Sequence, residues 1–305
     1  MANREKLTGI IIPMVTPFNK DESINFSGLK EVVDFLVENG VDGIIPSGST
    51  GEMIALTKEE QMAVNEAAVK AADGRIKVIA STGAYRTGDV CEMSKAAQAA
   101  GADGVMVVTP WYMAPAQDEL YGHYKAIRES IDIPVMMYHN PYYSTCLLPD
   151  EFIAKLYNDG LIDAVKERQA DVFRQQNLRY LTDDGFGIFY GYDICPVETQ
   201  ACWSDGWVVG TGNLFPKENT HVYRLAKERK LEEAMDAVFK EMRPYLDLFI
   251  KPDSSGNVKW LQIIKAGLRM RGVDAGYCRK PVIDELPAET MKKLEEVLKT
   301  YGYIG

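Results

Sequence analysis

The sequence predicts a TIM (β/α)8 barrel, an α/β fold, with a C-terminal helical extension. Three observations carry this. Short apolar runs alternate with amphipathic segments through eight units, recurring every ~20 to 35 residues. The runs are apolar throughout, as strands are when both faces are buried and helices join them, which means a parallel sheet. The 305 residues exceed the ~250 of a barrel by a stretch that reads as helical. A doubly wound open sheet is the rival. It wants a glycine-rich turn after the first strand, and Met14-Val15-Thr16-Pro17-Phe18 is not one.

Taken in order, strand one covers 9–16 and ends at Pro17-Phe18. A helix over 27–38 stops at Asn39-Gly40, a C-cap signal. Strand two, 43–46, runs into Ser47-Gly48-Ser49-Thr50-Gly51-Glu52. Thr57 and Glu60 form a capping box that opens a helix to about 72. Strand three is 77–80, its helix 88–100. Strand four is 104–108 and ends in Thr109-Pro110-Trp111-Tyr112-Met113. A helix over 117–130 leads to strand five, 135–138, which ends in His139-Asn140-Pro141. Pro149 opens a helix to about 158. Strand six lies within 161–168, and a helix follows over 171–181. Strand seven, 187–191, precedes a helix from Asp193, and strand eight is 206–210. Amphipathic helices over 217–230, 231–250, 259–271 and 288–299 close the chain. The expected division is a barrel over 1–225 and a helical extension over 226–305 packed on it.

Composition narrows the function. The net charge of −10 argues against nucleic-acid and anionic-membrane partners, which need a basic surface. An acidic substrate would need a locally positive pocket. The five cysteines, Cys91, Cys146, Cys195, Cys202 and Cys278, are odd in number and lack CxxC spacing. That disfavours disulfides and zinc knuckles and fits a reducing cytoplasm. His123, His139 and His221 make no HxxxH or HxH pair, so no metal site is expected. The first residues are polar with no long apolar h-region after them, and no run reaches the ~18 apolar residues of a membrane span.

In such a barrel the chemistry sits at the C-terminal strand ends. Those ends carry Thr16, Ser47–Glu52, Ser81-Thr82, Thr109 with Trp111-Tyr112, Tyr138-His139-Asn140, Lys166 and Arg168, Tyr190–Asp193 and Thr211-Gly212-Asn213. Lys166 is a lone lysine in an apolar strand. Alternation turns Lys166 and Arg168 to one face and Glu167 to the other. Both cations could snorkel to solvent. Alternatively, Lys166 is an amine in a dry pocket, its pKa lowered by desolvation and a neighbouring cation, able to form a Schiff base. Tyr138 could relay protons or be a core tyrosine. The Gly-Ser-Thr-Gly turn could offer donors to a carboxylate or be an ordinary loop. The barrel gathers all of them around one point.

Gly48-Ser49-Thr50-Gly51-Glu52, Tyr138-His139-Asn140-Pro141 and Lys166-Glu167, in this order and spacing, resemble the dihydrodipicolinate synthase / N-acetylneuraminate lyase superfamily. The resemblance spans essentially the whole chain. It implies a homotetrameric barrel without metal or organic cofactor, acting on pyruvate or another 2-oxo acid through an imine on Lys166. It makes Tyr138 the proton shuttle, and gives Ser49 and Thr50 the substrate carboxylate, Thr50 also joining the hydroxyl relay. Tyr112 matches a tyrosine that in the synthases reaches a neighbouring subunit's site. Gly191-Tyr192-Asp193 is similar to the segment that meets the polyol tail in sialic acid lyases, which suggests a substrate contact for Asp193, and Asn213 is a further candidate.

Three departures matter. The synthases carry an arginine two residues after the proline of the tyrosine motif, and here Tyr143 stands there. The sialic acid lyases follow Gly-Tyr-Asp with glutamate, and here it is Ile194. The family usually has a small hydroxyl residue where this chain has Arg168. Asn140 is closer to the catabolic members. The expected function is therefore a catabolic Schiff-base aldolase or dehydratase on pyruvate or a small 2-oxo acid such as a 2-keto-3-deoxy acid. The alternatives are dihydrodipicolinate synthase itself and a non-catalytic ligand-binding barrel. Arg168 either grips a second carboxylate or polar group of the substrate in place of the missing arginine, depresses the Lys166 pKa, or turns away to pair with Asp193 or Glu198. Trp111, Tyr142, Tyr143 and Trp207 suggest a partly aromatic pocket.

Overall fold

Strands that are apolar on both faces and helices that are apolar on one produce two nested layers. The computed structural model describes residues 4–254 and 256–305. Its strands are β1 (Gly9–Pro13), β2 (Gly43–Ile45), β3 (Lys77–Ser81), β4 (Gly104–Val108), β5 (Val135–His139), β6 (Ala164–Glu167), β7 (Gly187–Tyr190) and β8 (Gly206–Val208). They close into one barrel in sequence order, β8 pairing in parallel with β1. Ile11, Ile45, Ile79, Met106, Met136, Ala164, Phe189 and Val208 pack together as the inner cluster. Their sequence neighbours Ile10, Ile44, Val105, Val165 and Ile188 lie in the outer clusters with the helices.

The helix Phe26–Glu38 shows why these segments are helical. Asn25 caps it by accepting from the Gly28 N–H at 3.0 Å, and Leu29, Val32, Val33 and Leu36 form its buried stripe. Each such side chain contributes roughly 1.5–3 kcal/mol on burial. The Thr57–Glu60 capping box is present on the helix Lys58–Ala72. The eighth crossover helix is Pro216–Lys227, and the helices Arg243–Ile250, Trp260–Met270 and Ala288–Thr300 follow. Phe215 stacks on Tyr245 with centroids 4.1 Å apart, and both belong to the cluster that also holds Ile10, Leu294 and Leu298. The later helices therefore share the outer core of the barrel.

Some elements differ from expectation. The helix expected from Asp193 begins only at Pro196 and ends at Ala201, because Cys195 is left-handed, with φ at +54°, and cannot belong to it; the Asp193 carboxylate accepts from the Thr211 N–H at 2.7 Å. The segment expected as one helix over 231–250 is interrupted by a π-helical turn, Val238–Met242. Pro244 lies just beyond it, and its ring cannot accept the helical approach of the carbonyl four residues back, so the turn widens there. The short helix Pro141–Ser144, with its leading proline, was not expected. Among the described residues no helix is long and apolar enough to cross a membrane.

Candidate active site

The register between β5 and β6 builds the site. Tyr138 pairs with Lys166, and His139 with Glu167. Tyr138 and Lys166 point into the barrel mouth, and His139 and Glu167 point outward under the helices. Behind the strands, His139 Nδ1 lies 2.7 Å from Glu167 Oε2, and Arg174 Nε donates to the same oxygen at 2.8 Å. Burial pushes the Glu167 carboxyl up, but His139 and Arg174 outweigh it and hold it below the usual range. This buried charge cluster locks β6 against β5, and so fixes where Lys166 stands.

Lys166 is 5% exposed. Its Nζ lies 3.8 Å from the centre of the Tyr138 ring. Among the described residues the amine has no hydrogen-bond acceptor and no carboxylate partner. Burial, reinforced by the Arg168 charge and opposed by Asp193, pushes its pKa down to about 7. A Cβ at Gly191 would sit 3.0 Å from Lys166 Cγ and Cε, so a glycine there leaves the lysine its space. Burial pushes the Tyr138 phenol up to about 12, against Arg168, Asn140 and Ser49, which favour the phenolate. Asn140 is fully buried, and its Nδ2 donates to the phenol oxygen at 2.8 Å. Ser49 and Thr50 both stand at the cleft beside Tyr138 and Lys166.

Both hydroxyl residues, with Tyr143, Arg168, Tyr192 and Asp193, line a cleft of about 440 Å³ over Lys166. The Ser49–Thr50 turn is held from below. Thr16 Oγ1 donates to Gly51 O at 2.8 Å. Glu52 is buried against Lys265, with Nζ and Oε1 2.6 Å apart. A Cβ on Gly51 would meet the Ser47 backbone at 2.9 Å, so the turn needs glycine. The other side of the cleft comes from the late helices: Phe249, Ile250, Val258, Trp260 and Ile264. Nothing in the sequence pattern pointed to that wall. The placement of Asn140 was open to inference, since alternation puts 138 and 140 on one face.

Three expected participants lie elsewhere. Asn213 is fully buried and committed to the backbone: its Oδ1 accepts from Val15 N at 3.1 Å, and its Nδ2 donates to Pro13 O and Gly210 O. It ties β1 to the end of β8 and does not line the cleft. Tyr112 is 89% exposed and lies outside the cleft, with φ at +73°. Trp207 is buried in the outer core, its indole donating to Tyr192 O at 2.7 Å. Arg168 does not pair with Asp193 or Glu198. Its guanidinium lies 3.6 Å from the centre of the Tyr192 ring. Among the described residues no group of three His, Cys, Asp or Glu side chains is placed to hold a metal ion.

Comparison with known proteins agrees with this geometry. The model of the dihydrodipicolinate synthetase family matches residues 6–301. A 4-hydroxy-tetrahydrodipicolinate synthase of Persephonella marina is 34% identical over 297 residues, covering 97% of this chain and 99% of that protein. The corresponding protein of Oceanobacillus iheyensis is 31% identical over 294 residues, covering 96% and 97%. The crystal structure of dihydrodipicolinate synthase from Aquifex aeolicus superposes with a TM-score of 0.89 at 31% identity, covering 97% of this chain and 99% of that one. CdNal from Clostridium difficile, solved in complex with mannosamine, gives 0.88 at 26% identity, covering 97% and 100%. With the barrel, the buried Lys166–Tyr138 pair and a family match across nearly its whole length, this chain belongs to the dihydrodipicolinate synthetase family and is a lyase of that family.

Proposed function

We propose that the protein is a Schiff-base aldolase or dehydratase acting on pyruvate or a small 2-oxo acid, with the covalent imine on Lys166. The observation that carries this reading is the amine of Lys166, buried without an acceptor and with its pKa pushed down to about 7 beside the Tyr138 ring. Half or more of such an amine is neutral at physiological pH, and only the neutral form is a nucleophile. Its lone pair attacks C2 of the 2-oxo acid, and a proton passes from the nitrogen, now cationic, to the carbonyl oxygen, leaving a neutral carbinolamine. Tyr138 delivers a second proton to that oxygen, water leaves, and the nitrogen lone pair closes the iminium. The cation then accepts the electrons of a breaking bond one carbon out, or of a C–H bond beside it. Asn140, donating to the phenol oxygen, stabilises the phenolate that Tyr138 becomes after giving its proton. The hydroxyl of Ser49 and the turn at Thr50 supply donors for the C1 carboxylate, opposite β6 in the eight-strand ring.

A second reading is 4-hydroxy-tetrahydrodipicolinate synthase, favoured by the names of the relatives at 31–34% identity. Against it stands Tyr143, where the synthases carry an arginine. A coupled assay with pyruvate and aspartate semialdehyde separates the two, since only a synthase turns over that pair. The test of the shared chemistry is reduction with borohydride in the presence of pyruvate. The expected result is irreversible inactivation with one pyruvate-derived mass increment per chain. Full activity after treatment would remove the imine mechanism. Tyr112, exposed in the single chain, acts in this reading across a homotetramer interface. Sedimentation analysis should show the tetramer, and Tyr112→Phe should lower activity there.

A further inference from the structure

The end of β6 carries a guanidinium whose face is pinned and whose edges are unspent. Arg168 follows Lys166 by two residues, so the two side chains share one face, ~6.6 Å apart along the strand direction. The Arg168 N–H still bonds to His139 O at 3.1 Å, which continues the β5–β6 ladder one step beyond the strand. The guanidinium lies flat on Tyr192, 3.6 Å from its ring centre, with the Tyr142 ring at 5.9 Å. Stacking uses the face of the group and leaves its N–H donors in the ring-parallel plane. Among the described residues, no acceptor takes any of them and no carboxylate pairs with the charge.

Few charged groups line the cleft around it. Of the charged groups lining it, Lys166 and Arg168 are basic and Asp193 is acidic. Asp193 is engaged through Oδ1 with the Thr211 N–H on the β8 side. Tyr143 lines the same wall without charge. A planar fork of free donors, held rigid in a partly desolvated cleft, is complementary to a carboxylate. Its position sets the orientation. β2, which carries Ser49 and Thr50, and β6 are four strands apart in the ring of eight, hence diametrically opposite. A 2-oxo acid with C2 on Lys166 and its own carboxylate toward β2 directs the rest of its chain toward Arg168.

We infer that Arg168 determines substrate specificity by receiving a second carboxylate at the far end of the 2-oxo acid, so that this site takes 2-oxo dicarboxylates. The inference rests on the Schiff-base reading above and adds the ligand class. It is tested by reductive trapping, which needs no knowledge of the complete reaction. The concentration giving half-maximal borohydride-trapped adduct on Lys166 is measured for 2-oxoglutarate and 2-oxoadipate. Their neutral-ended counterparts, 2-oxopentanoate and 2-oxohexanoate, are measured alongside, with pyruvate as the reference. For at least one length, the wild type should trap the dicarboxylate at a concentration about tenfold or more below its counterpart. In Arg168→Gln that ratio should fall toward one. Arg168→Lys, which keeps the charge and loses the fork, should fall between. Because the ratio compares two acids on the same enzyme, changes in Lys166 reactivity cancel. A wild-type ratio near one at both lengths, or a wild-type ratio retained in the variants, overturns the inference. If Arg168→Gln does not fold, the wild-type ratio and Arg168→Lys decide. Absence of any adduct with pyruvate on the wild type would instead remove the Schiff-base reading, and this inference with it.

Discussion

Among the described residues two lysines are buried, and their surroundings are opposite. Lys265 is 0% exposed, in the helix Trp260–Met270. Its amine donates to Glu52 Oε1 at 2.6 Å, Thr16 O at 2.7 Å and Tyr277 O at 2.6 Å, one acceptor for each N–H. Burial pushes it down, and Glu52 opposes that. It works as a charged peg that holds the Ser49–Glu52 turn to a helix more than 200 residues away in sequence. Lys166 is as deeply placed but has the face of an aromatic ring and a neighbouring guanidinium instead of acceptors. Burial alone does not make a nucleophile. In the proposed chemistry burial without acceptors does, because the charged form then loses its hydration and gains nothing in return.

The comparison can be broken at either lysine. Lys166→Arg places a permanent cation there that cannot form the imine, and should lower kcat by a factor of about 10⁴ or more in any assay of the reaction. Next in size, Lys265→Met strands the Glu52 carboxylate in the core. It should destabilise the fold by about 3–5 kcal/mol in urea unfolding and loosen the turn that carries Ser49 and Thr50, raising KM.

Lys166→Met should act the other way. The folded pKa of Lys166, about 7, lies below its ordinary 10.5. The unfolded chain therefore binds more protons between those values, and stability rises with pH across that window. The cost is fully present below about pH 7. Removing the amine should stabilise the protein by roughly 2–4 kcal/mol at neutral pH and flatten that slope, while abolishing trapping.

The smallest effects are on the pH profile. Activity should rise with pH through about 7 as Lys166 loses its proton. Arg168→Gln removes a cation that disfavours the ammonium form, so the rise should move to higher pH. Asp193→Asn removes the opposing carboxylate and should move it lower, each by about one pH unit or less.

Much of this is legible in the sequence. Eight apolar runs at regular spacing specify the barrel, and the register of a parallel ladder then sets Lys166 beside Tyr138. The capping box of Thr57 and Glu60 is a local signal and could be read locally. What stayed hidden depends on distant pairings. Lys265 meets Glu52 only because a late helix folds over the barrel mouth, although a lysine four residues after Leu261 on an apolar stripe was a hint. The wall of Phe249, Ile250, Val258 and Trp260 has the same origin. Asn213 looked like a substrate contact because strand ends carry function. Its amide is instead used on the backbone of β1, a choice that sequence spacing does not reveal. The π-helical turn before Pro244 reflects a local steric demand inside an otherwise regular amphipathic pattern.

The most direct test of the contrast between the two lysines is peptide-level mapping of borohydride-trapped pyruvate as a function of pH. The adduct should lie on Lys166 and be absent from Lys265, and its initial rate should climb with a midpoint near 7. A midpoint close to the ordinary lysine value, or an adduct distributed over Lys265 and surface lysines with none on Lys166, would contradict the account.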